Sequence, residues 1–95
     1  MSAFQHKLFA NSIATALEKH RPELSDQIVQ VDEPTVGVQI RMSRVRSVMI
    51  GWVRHHRVEQ WMIATPEPAL INLKSGETVD GIAARMISVY DAFAD

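Results

Sequence analysis

A chain of 95 residues has room for one hydrophobic core and no second one able to fold alone. Its 46% hydrophobic content is that of a globular chain, and a formal net charge of -1 gives no bulk attraction to nucleic acid or to an anionic membrane. Cysteine is absent, which excludes disulfide staples, thiolate metal sites and a cysteine nucleophile together.

The first residues, MSAFQHKLFANSIATAL, carry a polar or charged group every few positions, so they match neither the apolar core of a signal peptide nor a spanning helix. The expectation is a cytoplasmic protein without a membrane partner. Ser2 and Gln5 have the spacing of a capping box, which predicts a helix start. Phe9, Ile13, Ala16, Leu17 and His20 recur at intervals of three and four and predict its buried face, and Pro22 stops the helix because a proline cannot continue the hydrogen-bond ladder.

From Gln27 the period changes. Ile28 to Val31 is a short β-branched run closed by the turn residues Asp32, Glu33 and Pro34. Val36, Val38, Ile40 and Met42 then alternate with Gly37, Gln39, Arg41 and Ser43, which predicts a strand with one dry face and one wet face. In the next strand Val48, Ile50 and Trp52 point one way and Met49, Gly51 and Val53 the other, and neither set is polar. A strand apolar on both faces belongs in the middle of a sheet. His55, His56 and Arg57 form a turn, and Val58 to Thr65 returns with Trp61 and Ile63 on one face and Met62 and Ala64 on the other. Thr65, Pro66, Glu67 and Pro68 end the pairing. Ala69 to Leu73 reads equally as a further edge strand or a helical turn.

Ser75, with Glu77 just beyond it, predicts the start of a second helix. Its apolar face would be Val79, Ile82, Ala83, Met86, Tyr90 and Phe93. Gly81 within it costs about 1 kcal/mol relative to alanine, which suggests a close approach of another backbone. The whole is read as a single α+β domain over residues 1–95, a helix, a three- to four-stranded antiparallel sheet and a helix, with both helices on one sheet face. That element order is similar to the double-stranded RNA-binding domain, whose second helix opens with phosphate-contacting lysines. Here the same place holds Ser75, Gly76, Glu77, Thr78, Val79 and Asp80, an acidic start that repels phosphate.

Two surfaces follow. Between Pro34 and Val58 lie Arg41, Arg44, Arg46, Arg54 and Arg57 and no acid, so half of the chain's 10 lysines and arginines fall in one acid-free stretch. Guanidinium forks suit phosphate contact and Trp52 or Trp61 suits base stacking, which makes nucleic-acid binding through these arginines one reading. The other surface is the sheet face away from the helices, where Met49, Val53 and Met62 stand with Arg54 and Arg57 near by. Exposed apolar patches and adaptable methionines mark protein contacts, including a homodimer.

Catalysis and metal binding find no constellation. Gly76 and Gly81 are spaced as in a phosphate-binding loop, but Ile82 and Ala83 stand where lysine and serine or threonine are needed. His55 and His56, adjacent on a strand, should point apart and so chelate poorly, while His6 and His20 lack a helical partner at ligand spacing. The functional expectation is a non-enzymatic protein-interaction module without cofactor or metal, with nucleic-acid binding as the alternative.

Overall fold

The computed structural model describes residues 3–33, 35–67, 69–73 and 76–94. Helix α1 spans Ala3–His20 and buries His6, Ala10, Ile13, Ala14, Ala16 and Leu17. Ala10, Ala14 and Ala16 join Ile13 and Leu17 in the buried core cluster. His20 departs from the expected face: it lies exposed and its Nε2 sits 3.3 Å from Asp80 Oδ1. Ser2, half of the expected capping box, lies outside the described residues. Pro22 ends α1 as expected, but the chain then makes a 3₁₀ helix, Pro22–Gln27, that the sequence reading missed. Proline at its start needs no N–H there, and Leu24 inside it is buried in the core.

Five antiparallel strands follow in a simple meander, β1 (Ile28–Val31), β2 (Gly37–Arg41), β3 (Ser47–His55), β4 (Val58–Ala64) and β5 (Leu70–Asn72), paired in that order. The expected count of three to four is therefore too low, because Leu70–Asn72 is a strand and pairs Ile71 with Ile63. A run this short carries too little period to separate strand from helical turn in the sequence. β3, apolar on both faces, takes the central place.

The register sorts every strand side chain to one of two faces. Val38 pairs with Ile50, Ile40 with Val48, Ile50 with Ile63 and Trp52 with Trp61, so these share one face. Val38, Ile40, Val48, Ile50 and Ile63 are fully buried there and join Ile13 and Leu17 of α1 in one cluster. The second helix, α2 (Val79–Phe93), adds Ile82, Ala83 and Met86 to the same cluster, so both helices cover one face. The side chain of Thr78 caps α2 by accepting from Gly81 N at 3.0 Å. The helix therefore begins beyond Ser75, which lies outside the described residues. Gly81 marks no backbone approach: a Cβ there would meet Thr78 Oγ1 at 3.1 Å and nothing else.

Two ion-pair groups tie the helices down. Glu77 Oε1 lies 2.6 Å from Arg85, whose Nη1 also donates to the Asn72 carbonyl at 3.3 Å, so this pair links the segment before α2 to β5. Arg21 donates from Nε to Glu23 at 2.5 Å and from Nη1 to both carboxylate oxygens of Asp91 at 3.0 Å, joining the end of α1 to the end of α2. The hydrogen bond from Arg21 holds the Glu23 carboxyl below its ordinary range. A depressed carboxyl stabilises the fold fully above its unfolded pKa and loses that contribution as the pH falls through the lower folded value. We expect the difference in melting temperature between wild type and Arg21→Gln to be constant near neutrality and to shrink below about pH 4.5, the usual onset of carboxyl protonation. Thermal melts across that range check it, and a difference that holds to the lowest pH would be inconsistent with it.

The β3–β4 turn is made by His56 and Arg57, both with positive φ, 52° and 66°. Two such residues between antiparallel strands form the mirror-image turn that matches strand twist and ordinarily uses Asn-Gly. Side chains with a Cβ are disfavoured in this region by about 1 kcal/mol or more each. The double substitution His56→Asn, Arg57→Gly should thus raise stability by about 1–2 kcal/mol, read from the denaturant midpoint at unchanged slope.

Candidate functional site

Among the described residues no helix packs on the face opposite α1 and α2, and the composition of this uncovered face sets it apart. It presents Val29 and Val31 from β1, Gln39 and Arg41 from β2, Met49 and Val53 from β3, Gln60 and Met62 from β4 and Leu70 from β5, with Gly37 and Gly51 side by side near the centre. Among the described strand residues on this face, Arg41 is the only lysine, arginine, aspartate or glutamate. An antiparallel sheet that meets water usually alternates apolar and charged positions. This one does not.

The glycine pair and Met49 form one unit. The Met49 methyl would stand 2.9 Å from a Cβ on Gly37 and 3.4 Å from one on Gly51, so the thioether chain lies over the two glycines. Gln39 Nε2 lies 3.7 Å from Met49 Sδ, beside it. Met62, paired with Gly51, is only 3% exposed although no helix covers it, and it stands apart from the main core cluster. Its place in the exposed patch expected from the sequence is corrected accordingly: Met62 is buried, while half-buried Met49 and Val53 contribute to the accessible surface. Val58 and Leu70, 55% and 49% exposed, extend the apolar surface towards one end and one edge.

Arg54 and Arg57 do not join that surface as one site. Arg54 pairs with Glu59 across the hairpin, on the helix side of the sheet, and its Nη2 lies 3.6 Å from Glu59 Oε1. Arg57 sits in the turn. Nor do the five arginines make one track: Arg41, Arg44 and Arg46 gather at the β2–β3 loop, Arg54 and Arg57 at the opposite end of β3. Eight residue steps along the strand set these ends about 26 Å apart.

The tryptophans are likewise engaged. Both lie on the helix-covered face, 5.6 Å apart between ring centroids, with the His6 ring 4.3 Å from Trp52 and the Phe9 ring 4.7 Å from Trp61. Neither offers a free flat ring for a base on the uncovered face. His6 Nε2 and Trp61 Nε1 are both buried without a hydrogen-bond partner among the described residues. The burial of His6 went unread in the sequence, although it lies three residues from Phe9 and four from Ala10, on the same helix face.

His55 and His56 also differ from expectation. Their rings meet edge to face at 4.1 Å, because His56 is a left-handed turn residue and not the next residue of a strand. Among the described residues no three of His, Asp and Glu gather as a metal would need. No described helix is long and apolar enough to cross a membrane.

Two concavities flank the β2–β3 loop. The larger, about 470 Å³, is lined by Gln39, Arg41, Ser43, Arg44, Arg46 and Ser47 beside the exposed Val45. A smaller one of about 240 Å³ lies among Met42, Arg46, Tyr90, Phe93 and Ala94. Gln27 anchors this corner by donating from Nε2 to the Arg41 carbonyl at 2.8 Å and to the Tyr90 hydroxyl at 2.9 Å.

No protein-family model, no curated protein and no solved structure matches the chain.

Proposed function

We propose that the protein is a non-enzymatic interaction module of the cytoplasm whose contact surface is the uncovered sheet face, with a second copy of the chain as the partner. The observation that carries this reading is that, among the described residues, the face carries almost no charge and no helix packs over it. Burial of apolar surface drives association at about 25 cal/mol per Å² removed from water, and a face whose one described lysine, arginine, aspartate or glutamate is the peripheral Arg41 brings little desolvation penalty for charge. Two copies meeting through such a face bring together no like charges other than the peripheral Arg41. Met49 can adapt to the facing surface because its unbranched chain repacks readily.

Binding rather than catalysis is supported by the carboxylates. Asp32, Asp80, Glu59 and Glu77 are each placed beside a cation or histidine of their own, and Glu23 and Asp91 share Arg21, so ion pairing accounts for these carboxylates without an acid–base pair. Nucleic-acid binding through all five arginines is less well supported, because they fall at two ends of the sheet and Arg54 already faces Glu59.

The methionine methyl groups test the surface directly. With 13C-labelled methionine, the Met49 methyl resonance should shift as the protein is taken from dilute to millimolar concentration, while that of Met86, fully buried under the helices, should stay fixed. Met49 resonances that stay fixed while the solution mass passes from one chain to two would defeat the proposal.

A further inference from the structure

We propose that the β2–β3 loop is a binding site for a small phosphorylated ligand, held by Arg41, Arg44 and Arg46. This inference does not depend on the sheet face acting as a contact surface.

Three observations meet at this corner. The first is the concavity itself, large enough at about 470 Å³ for a diphosphate group, with Gln39, Ser43 and Ser47 supplying amide and hydroxyl groups between the arginines. The second is the missing counter-ion. Arg21, Arg54 and Arg85 each lie within 4 Å of a carboxylate, whereas none of Arg41, Arg44 and Arg46 does among the described residues. Guanidinium groups gathered without a carboxylate repel one another, and a multiply charged anion among them removes that repulsion.

The third is that the loop backbone is already fixed. Met42 N donates to the Arg46 carbonyl at 2.9 Å, and the Ser43 hydroxyl accepts from Arg46 N at 3.2 Å. At its root, Gln27 holds the Arg41 carbonyl, and Arg41 Nε donates to Gln39 Oε1 at 3.3 Å. A ligand would therefore order only side chains, which lowers the entropy lost on binding.

The chemistry of the cations selects the ligand. Each guanidinium is a planar fork that grips two oxygens of one tetrahedral group, a match that phosphate offers and chloride does not. Three permanent positive charges lining one concavity match a phosphate ester carrying more than one negative charge, and a diphosphate best of all. The cluster ends at this loop, so it fits a compact anion better than a long polyanion.

The experiment is a 15N NMR titration of the full chain with pyrophosphate at constant ionic strength, with chloride as the compensating anion. The expected result is a saturable shift confined to the amides of residues 39–47. Arg44→Gln with Arg46→Gln, both exposed loop positions, should weaken that binding by at least about tenfold, and Arg→Lys at the same positions should restore charge but only part of the affinity. Preserved dispersion of the core resonances in each variant separates loss of binding from loss of fold. Shifts that do not saturate, that appear equally at Arg54 and Arg57, or that persist in the glutamine variant would overturn the proposal. Inorganic phosphate and a nucleoside diphosphate, run as further arms, identify whether the phosphate group alone suffices or the ester body contributes; binding of either supports the site. A single-stranded oligonucleotide that binds more tightly than pyrophosphate, with steep salt dependence, would instead assign the loop to nucleic acid and overturn the small-ligand assignment.

Discussion

Gly37→Ala should be the most destabilising single methyl addition on the sheet, with a loss of about 3 kcal/mol or more, whereas Gly51→Ala should cost far less. Both glycines stand on the uncovered face in directly paired positions, and neither has positive φ, so the difference between them is one of space. A Cβ on Gly37 would collide with the carbonyl oxygen of Ile50, a backbone atom of the central strand that cannot turn aside. The strand itself must move, and with it the pairing of Val38 to Ile50 that both place in the core. On Gly51 the nearest atoms are the Met49 methyl and the Thr35 methyl, each at 3.4 Å, which is ordinary contact with side chains. Strain that must be relieved by shifting backbone in a close-packed region belongs with the largest single-site effects, above the common range of about 0.5–3 kcal/mol. Denaturant unfolding of the two alanine variants checks the contrast. Equal costs would mean that the β2–β3 register is looser than this spacing requires.

Val53→Asp should abolish self-association while leaving the fold in place. Val53 pairs with Gln60 on the uncovered face and is half-buried in the single chain, so an aspartate there still reaches water. The folded monomer then loses only strand preference, at most about 1 kcal/mol. In the associated state the same carboxylate would be enclosed against an apolar surface with no cation near it, apart from the peripheral Arg41. An uncompensated buried charge costs about 3 kcal/mol or more, equal to at least about a hundredfold in affinity. Circular dichroism and sedimentation of the variant give the two readouts. A folded variant that still associates would place the interface elsewhere, and an unfolded one would make Val53 part of the core.

Much of the fold was legible because the strands carry clear periods. β1 falls on Ile28–Val31 as read, the two-faced apolar pattern of β3 placed it in the centre, and the pairing of Trp61 and Ile63 on one face with Met62 and Ala64 on the other follows the alternation. Short or end-positioned features were the ones missed or left open. β5 has only three residues, the 3₁₀ helix follows a proline that signals a stop without saying what comes next, and His20 stands at the last turn of α1, where helical spacing continues on paper but the core has ended. The surface was partly legible too. Alternation identified Met49, Val53 and Met62 as one set, but not that Met62 is buried while Met49 and Val53 stay half-buried, since alternation assigns a face and not the depth of a side chain on it. The arginines were visible as a charge asymmetry; which of them gather is fixed by the length of β3, which carries Arg41, Arg44 and Arg46 away from Arg54 and Arg57.

The measurement that bears most directly on the account is the solution mass of the purified chain by light scattering behind a sizing column, at several concentrations and at low and high salt. Association through an almost uncharged face predicts twice the 10.7 kDa of one chain, unchanged at high salt because little of the attraction is screened. A mass of one chain at every concentration, or a dimer that dissociates as salt is raised, would contradict it.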